Sequence, residues 1–128
     1  MTFLTPEQAL FIHHRLIEET GGRHGIAKLE LLLSALSRPK ATFDGKDLYP
    51  DIFLKTAALM HGIIKNHPFI DGNKRTAITA SSIYLLRNGY MLETSNKELE
   101  QFTLKIASKD VAIEEIAQWF SHYSRKKS

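Results

Sequence analysis

The chain has 128 residues, 43% hydrophobic and 24% charged, with 17 Lys and Arg against 14 Asp and Glu and a formal net charge of +3. That length and balance describe one folded domain and exclude a disordered or membrane-embedded chain. Cysteine is absent, which removes disulfide frameworks, thiolate metal sites and cysteine nucleophiles, and fits a reducing cytoplasm.

The first residues lack the charged start and apolar run of a signal peptide, and no stretch approaches the ~20 apolar residues of a membrane span, so a cytoplasmic chain is expected. Thr5 is a good helix cap, Pro6 suits the first helical position and Gln8 completes a capping box. Ala9, Ile12, His13, Leu16 and Ile17 then recur at helical spacing until Gly21-Gly22 stop the helix. A second helix is predicted from about Ala27, with Leu29, Leu32, Leu33 and Leu36 on one buried stripe. It ends by Arg38, because Pro39 disfavours helical geometry before it. Residues 38–51 form the longest irregular stretch, and Asp44-Gly45 between short β-compatible runs predicts a small hairpin. Asp51 can cap a third helix from Ile52 to about Lys65 that is apolar all round and therefore central. A fourth helix begins near Gly72 or Asn73 and stops at Asn88-Gly89. Ser95 and Glu98 form the capping box of a fifth, and a sixth runs from Val111 to about His122, with Trp119 and Phe120 at core spacing. Arg125, Lys126 and Lys127 supply the whole positive excess, since residues 1–124 hold 14 cations and 14 anions. A solvated, frayed basic tail at 125–128 behind one domain at 1–124 is expected, with no nucleic-acid surface. The fold class is all-α: a compact bundle of about six helices with one small hairpin or flap.

Chemistry concentrates in His67-Pro68-Phe69-Ile70-Asp71-Gly72-Asn73-Lys74-Arg75, which joins the third helix to the fourth. The chain turns into a helix N-terminus, where unpaired backbone N–H groups and the helix dipole attract an anion. Gly72 lets the backbone approach a ligand, and Asn73, Lys74 and Arg75 add donors. Asp71 offers a hard oxygen to magnesium, and His67 an imidazole suited to taking a proton from an alcohol. Any one of these residues is commonly a cap, a turn former or a surface group. A base, a carboxylate and two cations crowded into one turn need a joint explanation.

This segment resembles the signature of the Fic superfamily, H-x-F-x-[D/E]-G-N-[G/K]-R. With Arg38-Pro39, Asp47-Leu48-Tyr49-Pro50, Lys74-Arg75-Thr76-Ala77 and Asn88-Gly89-Tyr90, nearly the whole chain is similar to the death-on-curing (Doc) branch of bacterial and phage toxin–antitoxin modules. The resemblance implies a compact all-α fold, with His67 as general base on a target hydroxyl, Asp71 holding Mg2+ against the phosphates of ATP, Gly72 and Asn73 in the anion pocket, Arg75 gripping phosphate and Phe69 anchoring the loop. Adenylylating Fic enzymes keep a glycine where this chain has Lys74, and often a second arginine where it has Ile78. Doc proteins share the lysine and present the γ-phosphoryl group. The resemblance therefore implies a kinase toxin phosphorylating a threonine of elongation factor Tu and arresting translation. Adenylyl transfer to a hydroxyl is the alternative, and a catalytically inactive antitoxin-binding or regulatory module a further one. A metal phosphohydrolase has little support without a His-Asp or H-E-x-x-H motif. The hairpin region Thr42, Phe43, Asp44, Gly45, Lys46, Asp47 and Leu48 becomes the expected flap that docks the target as an added strand. Only Thr94 to Glu98 has the spacing of an inhibitory glutamate motif, and Glu98 is better explained as the partner of Ser95, so restraint is expected from an antitoxin whose disordered tail folds onto the toxin.

Overall fold

The computed structural model describes residues 1–127, which form six α-helices, one 3-10 turn and two small antiparallel ribbons. In chain order these are α1 (Pro6–Thr20), α2 (Leu29–Ser37), the 3-10 turn (Arg38–Lys40), β1 (Thr42–Phe43), β2 (Lys46–Asp47), α3 (Ile52–Asn66), α4 (Asn73–Arg87), β3 (Tyr90–Leu92), α5 (Asn96–Ser108), α6 (Ile113–Tyr123) and β4 (Ser124–Lys126). The fold is mostly helical, as its periodicity predicts. No helix among the described residues is long and apolar enough to cross a membrane.

The caps sit where the spacing places them. Gln8 N donates to Thr5 Oγ1 at 3.1 Å and Thr5 N to Gln8 Oε1 at 2.9 Å, closing both halves of the box. Leu54 N donates to Asp51 Oδ1 at 2.8 Å, and Glu98 N to Ser95 Oγ at 3.1 Å. The return half of the second box does not form, because the Glu98 carboxylate turns instead to Thr94 Oγ1 at 3.2 Å.

α3 is the axis of the molecule, with α2, α4, α5 and α6 all packed on it. Ala57, Leu59, Met60, Ile63 and Ile64 are buried in all the directions those neighbours occupy. A Cβ at Gly62 would stand 3.1 Å from the Ala35 Cα, so this glycine sets the closest approach of α2 to α3.

Two expectations need correction. The stripe on α2 is rotated: Leu32, Ala35 and Leu36 are buried, whereas Leu29 and Leu33 are 48% and 43% exposed. Ala35 faces Gly62, and this close contact turns positions 29 and 33 away from α3. The basic tail is not frayed. Ser124–Lys126 pairs antiparallel with Tyr90–Leu92, Tyr90 opposite Lys126 and Leu92 opposite Ser124. The strand after the Asn88-Gly89 stop presents an edge of backbone donors and acceptors, and the end of α6 delivers the tail to satisfy it. Ser128, the last residue of that tail, lies outside the described residues.

Candidate active site

α3 terminates at His67, whose φ of 49° and ψ of 57° are left-handed. A non-glycine residue adopts this conformation at a cost of about 1–2 kcal/mol, so the surrounding contacts must hold it there. They begin with the next residues: Ala27 N and Lys28 N donate to Pro68 O at 2.8 and 3.3 Å, and Ile70 N donates to Gly25 O at 3.0 Å. Asn73 then clamps the turn from the start of α4. Its Oδ1 accepts from Phe69 N and its Nδ2 donates to Phe69 O, both at 2.9 Å. Nδ2 also lies 3.4 Å from His67 Nδ1, at the long limit of hydrogen bonding, which orients the ring without fixing its tautomer. The imidazole is exposed, and no hydrogen bond among the described residues engages its Nε2. The buried amide of Asn73 is thus spent inside the loop, and only its backbone N–H remains for an anion.

Phe69 is buried and stacked on His13, the rings 3.8 Å apart and inclined by 5°. His13 Nε2 donates to Asp71 O at 2.8 Å. The imidazole is 4% exposed, and its burial holds its pKa below the ordinary value. His13 is the positioning residue that motif reading misses. Its one sequence signal is a polar ring within the apolar stripe of α1.

Asp71 is fixed at both oxygens. Oδ1 accepts from Gly72 N at 2.8 Å and Oδ2 from Arg23 N at 3.1 Å, and these two donors keep the carboxyl below the usual carboxylate range. Each oxygen keeps a lone pair, so an ionised, half-exposed carboxylate is available to a hard cation. Arg75 Nη2 lies 4.0 Å from Asp71 Oδ1, while its Nη1 donates to Gly21 O at 2.9 Å and to Thr20 Oγ1. The arginine therefore closes the C-terminus of α1, leaving its other guanidinium nitrogens for phosphate. Gly22 makes this convergence possible. A Cβ there would stand 2.8 Å from Asp71 Oδ2 and 3.0 Å from Arg75 Nη2.

α4 starts at Gly72, whose φ of 78° is left-handed, with no side chain capping the first turn. The N–H groups of Asn73, Lys74 and Arg75 are the orphan donors of that turn. They lie beside a cleft of about 540 Å³ between α4 and α5, whose lining joins Asp71, Gly72, Lys74 and Arg75 to the apolar Ile78, Leu99 and Leu104 and to the polar Asn96, Glu100 and Thr103. Lys74 is exposed and makes no hydrogen bond or ion pair among the described residues. Two cationic side chains and orphan donors beside apolar side chains fit a phosphorylated ligand with an apolar part.

A sequence profile of the Fic/DOC family matches residues 3–85. The chain belongs to the Fic/DOC family. It is similar to Toxin Doc of Mycolicibacterium smegmatis, with 36% identity over 99 residues and 76% of each chain covered. It is also similar to Protein kinase doc of Escherichia phage P1, with 26% identity over 117 residues and 91% of each chain covered. The matched Fic/DOC span includes α1, the loop 67–75 and α4 as far as Leu85, whereas the cleft wall on α5 lies beyond it.

The hairpin of this Fic/DOC chain forms as the Asp44-Gly45 pair predicts, with Thr42 opposite Asp47 and Phe43 opposite Lys46. Asp44 and Gly45 have φ of 53° and 78°, the left-handed pair that a two-residue turn requires. Phe43 and Leu48 are exposed, and no hydrogen bond or ion pair among the described residues joins the hairpin to the loop 67–75. Its anchor is Lys55 on α3. The ammonium is buried and donates to Asp47 Oδ2 at 3.1 Å, Tyr49 O at 2.5 Å and Pro39 O at 3.3 Å.

Proposed function

We propose that this chain is the toxin of a toxin–antitoxin pair and a protein kinase that transfers the γ-phosphoryl group of ATP to a threonine hydroxyl of elongation factor Tu. The observation that carries the reading is the uncapped first turn of α4, which lies with the ionised Asp71 beside a cleft lined by Lys74 and Arg75 as well as by the apolar Ile78, Leu99 and Leu104. Family membership and the names of the two relatives, one a toxin and one a protein kinase, give it further support.

In this reading the first-turn N–H groups and Lys74 hold the phosphate chain, and Ile78, Leu99 and Leu104 receive the apolar part of the nucleotide. Asp71 would hold Mg2+, which when bound neutralises phosphate oxygens. His67 accepts the proton of the threonine hydroxyl while the hydroxyl oxygen forms its bond to the γ-phosphorus and the bond to the ADP oxygen breaks. Positioning and charge neutralisation supply the catalysis. The exposed hairpin offers strand edges to the target segment, and Lys55 holds it in place. Glu98, occupied by Thr94, provides no internal brake, which leaves restraint to an antitoxin.

ATP labelled separately at the α and γ positions, incubated with purified elongation factor Tu, tests the reading. Transfer of the γ label alone, lost in His67→Ala and Asp71→Ala, is the expected result. Transfer of the α label alone establishes adenylyl transfer instead. Absence of either label, with growth arrest that persists in both variants, establishes a binding module.

A further inference from the structure

Outside the loop 67–75, three donor side chains converge at the rear of the site. His14 and Glu18 stand one turn apart on α1, and His24 comes from the loop that follows it. His14 Nε2 lies 3.7 Å from Glu18 Oε1, and His24 Nε2 lies 3.7 Å from Glu18 Oε2. One ligand atom from each residue can be chosen so that all three lie within 4.8 Å of one another. The two imidazoles are 4.9 Å apart at an inclination of 35°. None of the three side chains makes a hydrogen bond among the described residues, so their lone pairs are free. A tetrahedral zinc ion with ligand bonds of about 2.0–2.1 Å separates its donors by about 3.3 Å. Exposed side chains reach that spacing from separations of at most 4.8 Å by rotamer adjustments.

We propose that His14, Glu18 and His24 form a binding site for a zinc-like divalent transition metal, separate from Asp71, which clasps the loop 21–25 onto α1. Two imidazoles and one carboxylate suit zinc and its neighbours far better than magnesium or calcium, which prefer oxygen-only shells. The fourth position faces solvent and takes water. The consequence reaches the active site through the backbone. The same loop carries Arg23 N, which holds Asp71 Oδ2, and Gly25 O, which holds Ile70 N. Fixing His24 to α1 therefore stiffens the support of Asp71 from behind without touching the cleft.

The test is calorimetric titration of ZnCl2 into the full chain, its His67→Ala variant, and His14→Gln and His24→Gln. Saturable uptake is expected in the parent and in His67→Ala, with affinity at least about tenfold weaker in the other two. Circular dichroism should be unchanged by either substitution, since both side chains project into solvent. Zinc should also slow amide hydrogen exchange at Arg23, His24 and Gly25 in the parent and not in His14→Gln. Equal affinity in the parent, His14→Gln and His24→Gln, or no saturable uptake by the parent, overturns the site. Zinc binding with unchanged exchange at those three amides overturns the clasp. A site lost in His67→Ala but kept in His14→Gln assigns the ion to the catalytic loop instead.

Discussion

At His13, burial lowers the imidazole pKa, and the charges of His24 and Arg75 act in the same direction against the opposing hydrogen bond to Asp71 O. At His61, burial and the Arg38 guanidinium 2.9 Å from Nδ1 have the same effect. The unfolded chain takes up protons near the ordinary value of 6.5 that the folded chain resists. The stabilisation is then complete above that value and is lost progressively as the pH falls from it towards the lowered folded values. The melting temperature should drop between pH 7 and pH 5, and His13→Phe should flatten part of that slope. It keeps the stack on Phe69 but leaves Asp71 O without its donor, at a cost of about 1 kcal/mol at neutral pH. A slope unchanged in His13→Phe would remove the imidazole from the account. Gly22 and Gly21 offer a paired experiment, since both have positive φ but only at Gly22 would an added Cβ meet Asp71 and Arg75. An alanine at either position should cost about 1–3 kcal/mol in backbone strain. Gly22→Ala should also displace Asp71 and Arg75, weakening ATP binding at least about tenfold relative to Gly21→Ala, measured by equilibrium titration with Mg2+ present. The sequence singles out His67, Asp71 and Arg75 because they stand together in one motif, and the structure places them in and around one turn. His13 and Gly22 are not legible in this way, since each acts on residues about fifty positions away, and a sequence does not state such pairings.

The elements were legible where periodicity and capping agree, as in α1 and α3, and less so where a tertiary contact decides. α2 is rotated by the contact of Ala35 with Gly62, and β3 exists only because a distant segment pairs with it. Lys55 belongs with these: a lysine on a largely apolar helix carries no motif, yet it fastens a whole element. Its ammonium is enclosed while Asp47 remains half exposed, so the ion pair contributes less than the two carbonyls that Lys55 also satisfies. Lys55→Met fills the same space and leaves Pro39 O and Tyr49 O without a donor, which should cost about 2–3 kcal/mol. The functional signature should be specific. With the hairpin loosened, KM for the protein target should rise while KM for ATP stays unchanged, and limited proteolysis should cut first within residues 41–48. A rise in KM for ATP instead would place the hairpin in the nucleotide site.

Across the whole molecule, both ends of the described chain meet at the C-terminus of α4. Thr2 N donates to Asn88 Oδ1 and Asn88 Nδ2 donates to Thr2 O, each at 2.9 Å, while Lys127 N donates to Gly89 O at 2.7 Å. Two of the three cations of the positive excess, Arg125 and Lys126, are therefore held in β4. Side chains alternate across a strand, so Arg125 and Lys126 project to opposite sides, which divides these cations and argues against a nucleic-acid patch. What the segment contributes is its backbone. Arg125 Nε meets Glu93 Oε1 at 2.6 Å, but both side chains are at least half exposed, and such a pair is worth at most about 1 kcal/mol. Deleting residues 124–128 removes every ladder bond to β3 and exposes the edge Tyr90–Leu92. Arg125→Ala should then leave the melting temperature within about 2 °C of the parent, while the truncated chain should melt several degrees lower and self-associate at high concentration. Thermal melts and sedimentation of the three proteins side by side decide the matter. If Arg125→Ala and the truncation destabilise equally, the side-chain charge and not the strand backbone fixes the C-terminus, and binding of that basic segment to polyanions becomes the next question.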